Sequence, residues 1–207
     1  MKKSRYLFVI IQFLFALIPQ IWIYLFITKM GFSFTYGLSA FFAAVILINL
    51  YLAIYFFEQI TAIKLTIRGI HLKQLLYYTF LAVGLKILFG LLAYWAGYTT
   101  PDNEEAIQGL LGEIPKVIFT LFAVISGPIL EELAARGFIM GYIFKQHKPL
   151  GFLVSVVLFT ALHRPTSLGQ ILIYLGPSIA FCWIYYASDR LEYSIAAHVI
   201  NNLLVLL

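Results

Sequence analysis

Apolar runs of membrane length dominate the chain. They occupy roughly residues 6–28, 36–57 and 74–97, a longer stretch near 114–144, and shorter ones near 150–163, 168–187 and 191–207. Crossing the hydrocarbon core as a helix takes about 20 apolar residues, and a helix satisfies its backbone polar groups without help from water. The pattern therefore predicts an all-α, polytopic membrane helix bundle of about 7–8 transmembrane helices. The run near 150–163 is short for a full crossing. Between the second and third runs, Thr61, Lys64, Thr66, Arg68, His71 and Lys73 are interspersed with Ile and Leu. That mixture reads as a cytoplasmic connection, with an amphipathic interfacial helix as one form of it. Breaks in the pattern fall at Gly31, Pro101, Gly127-Pro128, Pro149, Pro165 and Gly176-Pro177. No internal repeat is evident.

Composition sharpens this picture. Of the 207 residues, 62% are hydrophobic and 11% charged, against about one half and one quarter in a soluble domain. The chain is read as one integrated membrane domain with no soluble domain. The first run is too long for a signal-peptide core and is read as a retained helix. The net charge of +5 does not point to nucleic acid, because the basic residues sit in short loops where they orient a membrane protein. Lys2, Lys3 and Arg5 precede the first run, Lys64, Arg68 and Lys73 follow the second, and Lys145 and Lys148 follow the fourth. The loop after the third run carries Asp102, Glu104, Glu105 and Glu113. The bias places the N-terminus in the cytoplasm of a multi-pass protein, and the short loops suggest a bacterial cell membrane. Cys182 is the single cysteine, which excludes an internal disulfide and a thiolate metal cluster.

The candidate chemistry lies where charge is most costly. Within 119–144 the charged residues are Glu131, Glu132 and Arg136, and an acidic side chain at bilayer depth costs several kcal/mol unless it is paired or wet. Glu132 and Arg136 are spaced i,i+4 and can pair on one helix, leaving Glu131 without a partner on that helix. Its face is otherwise small (Gly127, Ala134, Ala135) and admits a close neighbour. At about 1.5 Å per residue, Glu131 lies roughly 21 Å from Lys145, His163 roughly 20 Å from Leu150, His198 roughly 12 Å from Arg190 and Asn202 roughly 18 Å from it. Three helices can thus aim an acid, two imidazoles and a carboxamide at one layer. Each residue alone has a plainer reading. Glu132 and Arg136 suit a structural ion pair, His163 and His198 suit interface or core positions, and Asn201 and Asn202 suit interhelical hydrogen bonds. Lys86 reads as a snorkelling lysine without a role. The combination favours function.

Three motifs carry a resemblance. Glu131-Glu132-Leu-Ala-Ala-Arg136 fits EExxxR, Phe159-Thr-Ala-Leu-His163 fits FxxxH, and His198-Val-Ile-Asn-Asn202 fits HxxxN. Their order and spacing over about 113–207 resemble the CPBP intramembrane proteases, the CAAX-protease and bacteriocin-processing family also called Abi. The resemblance implies N-terminal transmembrane helices over 1–112 and a catalytic core over 113–207. It implies a peptidase whose site lies within the membrane and which cuts a membrane-associated peptide or lipidated protein, with bacteriocin maturation or self-immunity as candidate settings. Carried over, Glu131 is the base acting with His163 on a water, His198 and Asn202 steady the oxyanion, and Glu132 and Arg136 support the helix. The family is described as metallopeptidase while a metal-free glutamate mechanism is also proposed, so the cofactor reads as none or zinc. Glu131, His163 and His198 are the candidate ligands if a metal binds. The H-E-x-x-H zinc motif is absent, which favours the metal-free form. The expected partners are membrane lipid and a peptide substrate. The alternative reading is a non-catalytic immunity or membrane interaction protein, and a proton-coupled transporter ranks below it for want of paired broken helices.

Overall fold

Thr35 opens the first well-defined helix by accepting a hydrogen bond from Leu38 N at 3.2 Å, the usual device for an orphan amide at a helix start. This computed structural model describes residues 34–100 and 113–204, with the single positions 11, 14, 25, 105 and 109. Among them the chain forms six helices and no strand: α1 (Tyr36–Thr61), α2 (Leu72–Trp95), α3 (Lys116–Ile143), α4 (Lys148–Leu162), α5 (Leu168–Ser188) and α6 (Leu191–Leu203). The all-helical membrane architecture matches the expectation. Four helices, α1, α2, α3 and α5, are long and apolar enough to cross a membrane. This is fewer than the expected 7–8, and the run at 6–28 falls largely outside the described residues. At 15 and 13 residues, α4 and α6 are short of a full crossing at about 1.5 Å per residue.

The helices alternate in direction. α1, α3 and α5 finish at the end where α2, α4 and α6 begin, and the basic connections gather there. Lys148 Nζ lies 2.8 Å from both carboxylate oxygens of Asp189. Arg190 Nη2 donates to Thr66 O and Arg68 O at 2.7 and 2.9 Å. The 62–71 connection is not an interfacial helix. It is an irregular strap whose amides are taken by carboxylates: Leu65 N donates to Glu58 and Thr66 N to Glu192. Those partners outcompete the local bonds a helix would make. His71 N donates to Tyr193 Oη, which itself donates to Gln74, so the starts of α2 and α6 are tied together.

α2 packs mainly along α5 and also along α6, and α3 packs against α1, α4 and α6. Long stretches of α1 and α2 keep Phe41, Ile48, Tyr51, Phe80, Leu91 and Trp95 exposed, the composition of a lipid-facing surface. Where helices meet, small residues set the distance. A Cβ on Gly176 of α5 would stand 2.6 Å from Phe89 Cβ and 3.1 Å from Leu85 O of α2. Neither is the end of a flexible chain, so Gly176→Ala forces the two helices apart. The expected cost is about 1–3 kcal/mol, read as a lower unfolding temperature in detergent. Gly84→Ala, whose Cβ would meet nothing within 4 Å, serves as the neutral control.

Candidate active site

Helix α3 is not uniform. It opens as a short α-helical turn (Lys116–Phe119), widens to i→i+5 bonding over Thr120–Ser126, returns to α over Gly127–Glu132, and widens again over Leu133–Ile143. Gly127 N donates to Phe122 O and Phe144 N to Ile139 O across such wide turns. Stretches of this kind gather at functional sites because they re-aim side chains without ending the helix. The two glutamates stand at the close of the short α segment between them.

Glu132 and Arg136 are fully buried and pair at 2.9 Å between Oε1 and Nη1, as their i,i+4 spacing predicts. Arg136 also donates from Nη2 to Ser178 O of α5 at 3.1 Å. Its guanidinium lies over the rings of Phe159 and Phe181, 4.5 and 5.5 Å from their centroids, a placement that stabilises a cation out of water. The same Glu132 oxygen lies 2.9 Å from His198 Nδ1. A carboxylate only accepts, so the bond assigns the proton of that pair to Nδ1 and turns Nε2 the other way. There Nε2 lies 3.8 Å from Glu131 Oε2. That gap exceeds a hydrogen bond and is of a size that a water bridges. The His198 ring is stacked on Phe181 at 4.4 Å and meets Phe159 edge-on at 5.8 Å. Glu131 keeps 29% of its side chain exposed, while Glu132 keeps none. Two adjacent identical residues therefore occupy opposite environments.

Asn202 bonds across to α3 as well, donating from Nδ2 to Ala123 O at 3.0 Å and accepting from Asn201 Nδ2 at 3.1 Å. His163 stands apart. It follows the last residue of α4, and its Nδ1 lies 2.8 Å from Phe159 O of the preceding turn, which assigns that nitrogen the proton and leaves Nε2 for another partner. Its ring packs on Tyr174 at 4.3 Å and on Phe159 at 4.8 Å. The hydrogen bonds and ion pairs among the described residues do not link it to either glutamate. Glu131, Glu132, Arg136 and His198 are thus in direct succession, Asn202 is one turn along the same α6 face, and His163 is connected through the Phe159 ring.

Several contributors carry no sequence signal. Phe181, Ser178 and Tyr174 come from α5, which has no Asp, Glu, Lys, Arg or His along its length, and their roles depend on where α5 lies. Some buried polar atoms of the site residues and their helices have no hydrogen-bond partner among the described residues: Glu132 Oε2, Arg136 Nε, Ser126 Oγ and Thr160 Oγ1. Such atoms are rare in folded proteins away from sites that take up water or ligand. A metal fits less well. Among the described residues no three His, Cys, Asp or Glu side chains converge as a ligand set, and Glu131, His163 and His198 are no exception. A cleft of about 430 Å³ opens at the basic end, lined by Met140, Gly141, Lys145, Tyr185 and Asp189 among others. It contains none of the motif residues.

Residues 113–204 match the family model described as type II CAAX prenyl endopeptidase Rce1-like. Over 104 residues the chain is 31% identical to the UPF0177 protein YvdC of Lactococcus lactis subsp. lactis (strain IL1403), covering 50% of this chain and 40% of that one. Over 115 residues it is 30% identical to the membrane-embedded CAAX protease MroQ of Staphylococcus aureus (strain USA300), covering 52% of this chain and 45% of that one. The chain spans less than half the length of these two curated relatives. No solved structure matches it. The likeness to CAAX proteases that the three motifs carry therefore holds for the C-terminal half.

Proposed function

From this kinship over residues 113–204, we propose that the chain is an intramembrane endopeptidase that hydrolyses a membrane-associated peptide bond with a water activated by glutamate and histidine. The single observation that carries the reading is the succession Arg136–Glu132–His198–Glu131, which runs from a fully buried ion pair to a half-exposed carboxylate. Buried charge is retained in a membrane bundle where it serves a site.

In this mechanism a water lies between Glu131 and His198 Nε2. Glu131 takes its proton as the hydroxide adds to the scissile carbonyl, the work of a positioned general base. Glu132 fixes the His198 tautomer through Nδ1 and stabilises the imidazolium if Nε2 receives a proton, the role a carboxylate plays behind a catalytic histidine. Arg136 offsets the second buried charge. The tetrahedral oxyanion is met by Asn202, whose second amide hydrogen is not used in the Ala123 bond, and by His163 in its imidazolium form, since the neutral ring with its proton on Nδ1 offers Nε2 only as an acceptor. Each such donor is typically worth about 2.7–4 kcal/mol. The proton then passes to the leaving amine. His198 stands nearer to Glu131 than the motif-based assignment of His163 as its partner implies, and the two histidines exchange emphasis accordingly.

The test is cleavage of membrane-associated peptides by the purified protein in proteoliposomes, with products read by mass spectrometry. Substrates span leader peptides, bacteriocin precursors and prenylated C-termini. No step is routed through a metal. Exhaustive chelation is expected to leave the cleavage rate unchanged, and loss of activity restored by added zinc would overturn that part of the reading.

A further inference from the structure

Lys86 lies in the middle of α2, 14 residues from Leu72 and nine from Trp95. At about 1.5 Å per residue it sits roughly 21 Å from one end of the helix and 13 Å from the other. It does not follow the snorkelling pattern, in which a lysine carries its charge along an apolar surface to the nearer boundary. The side chain is half-buried and turns inward, with Nζ 3.4 Å from Asn201 O of α6. Asn201 stands in the last turn of α6, where carbonyl groups run out of intrahelical partners and the helix dipole presents its negative end. An ammonium is the complement of that end.

The connection continues from there. The Asn201 side chain donates to Asn202, and Asn202 donates to Ala123 O on α3, in the wide-turn stretch ahead of Glu131. His198 lies one turn back along α6. The cation thus anchors the turn that presents both the imidazole and the carboxamide. It also comes from the part of the chain that lies outside the matched residues 113–204.

We infer that Lys86 is a positioning residue for the reaction, holding the last turns of α6 so that His198 and Asn202 face Glu131. The inference rests on the peptidase reading. Lys86→Met keeps the apolar stem and removes the charge. In proteoliposomes its kcat is expected to fall roughly ten- to hundredfold, the scale of a small misplacement of reacting groups, with KM little changed. Lys86→Arg is expected to restore most of the loss. Independently of activity, amide hydrogen exchange over 198–204 should accelerate in Lys86→Met, while the rest of the bundle and the unfolding temperature stay as in the wild type.

A wild-type kcat in Lys86→Met overturns the inference. So does a loss of activity that Arg fails to rescue and that accompanies a lower unfolding temperature, since that is ordinary packing. If the wild type and Glu131→Gln proteins are equally inactive on every peptide, the peptidase reading itself fails. Unchanged exchange over 198–204 would then remove Lys86 as the anchor of this turn as well.

Discussion

Glu131→Gln is expected to lower kcat/KM for peptide cleavage by roughly 10²–10⁴-fold, the range supplied by a positioned general base, while the unfolding temperature stays near that of the wild type. Glutamine keeps the shape and cannot take a proton. Glu131 is partly exposed and its recorded polar contact is the 3.8 Å approach to His198, so little stability is at stake. Glu132→Gln is the informative neighbour. Its side chain is fully buried and receives both Arg136 and His198, so the same chemical change there should cost stability as well as activity. If the two variants lose stability equally, or if Glu131→Gln cleaves at the wild-type rate, the division of labour between the glutamates is wrong.

The second large effect concerns the ion pair. Arg136→Met leaves Glu132 buried with His198 as its remaining partner and is expected to destabilise the bundle by about 3–5 kcal/mol, the usual consequence of removing one member of a buried pair. Replacing both, as Glu132→Met with Arg136→Met, should recover much of that stability because no unpaired charge remains. Cleavage should not return with it, since His198 then lacks the acceptor that orients it. Reversible unfolding in detergent measures the first quantity and the peptide assay the second. A double variant that regains both would reduce Glu132 and Arg136 to a structural clasp. A double variant less stable than Arg136→Met alone would show that the pair stabilises the bundle beyond charge compensation.

The parts of this molecule that spacing alone could reveal are those contained within a single helix. The apolar runs locate α1, α2, α3 and α5, because a bilayer-length helix leaves an uninterrupted trace in sequence. The Glu132–Arg136 bond follows from i,i+4 geometry in the same way. What spacing does not supply is the rotation of one helix against another. The meeting of His198 Nδ1 with Glu132 is a contact set by how α6 lies on α3. The wide turns of α3 leave no compositional mark in Thr120–Ser126 or Leu133–Ile143, and they shift every later side chain around the axis. The strap at 62–71 reads as amphipathic because Lys64, Thr66, Arg68 and His71 are interspersed with Ile and Leu. Its conformation was decided by Glu58 and Glu192, the second of which lies 126 residues from the amide it accepts. Phe159 belongs to the FxxxH pattern, but its partner in the shelf, Phe181, carries no mark of its own, because aromatic residues are abundant throughout the chain.

The brevity of α4 carries a last consequence. Fifteen residues rise about 22 Å, against a hydrocarbon core of about 30 Å, and His163 follows its final turn. A bilayer of longer acyl chains would have to thin or the protein to tilt around that shortened rod, at fractions of a kcal/mol per ångström of mismatch. Acyl length thereby becomes a control on where the end of α4, and His163 with it, sits across the bilayer, and turnover in vesicles of shorter and longer phosphatidylcholines should vary even when the peptide, its charge and its concentration are held constant.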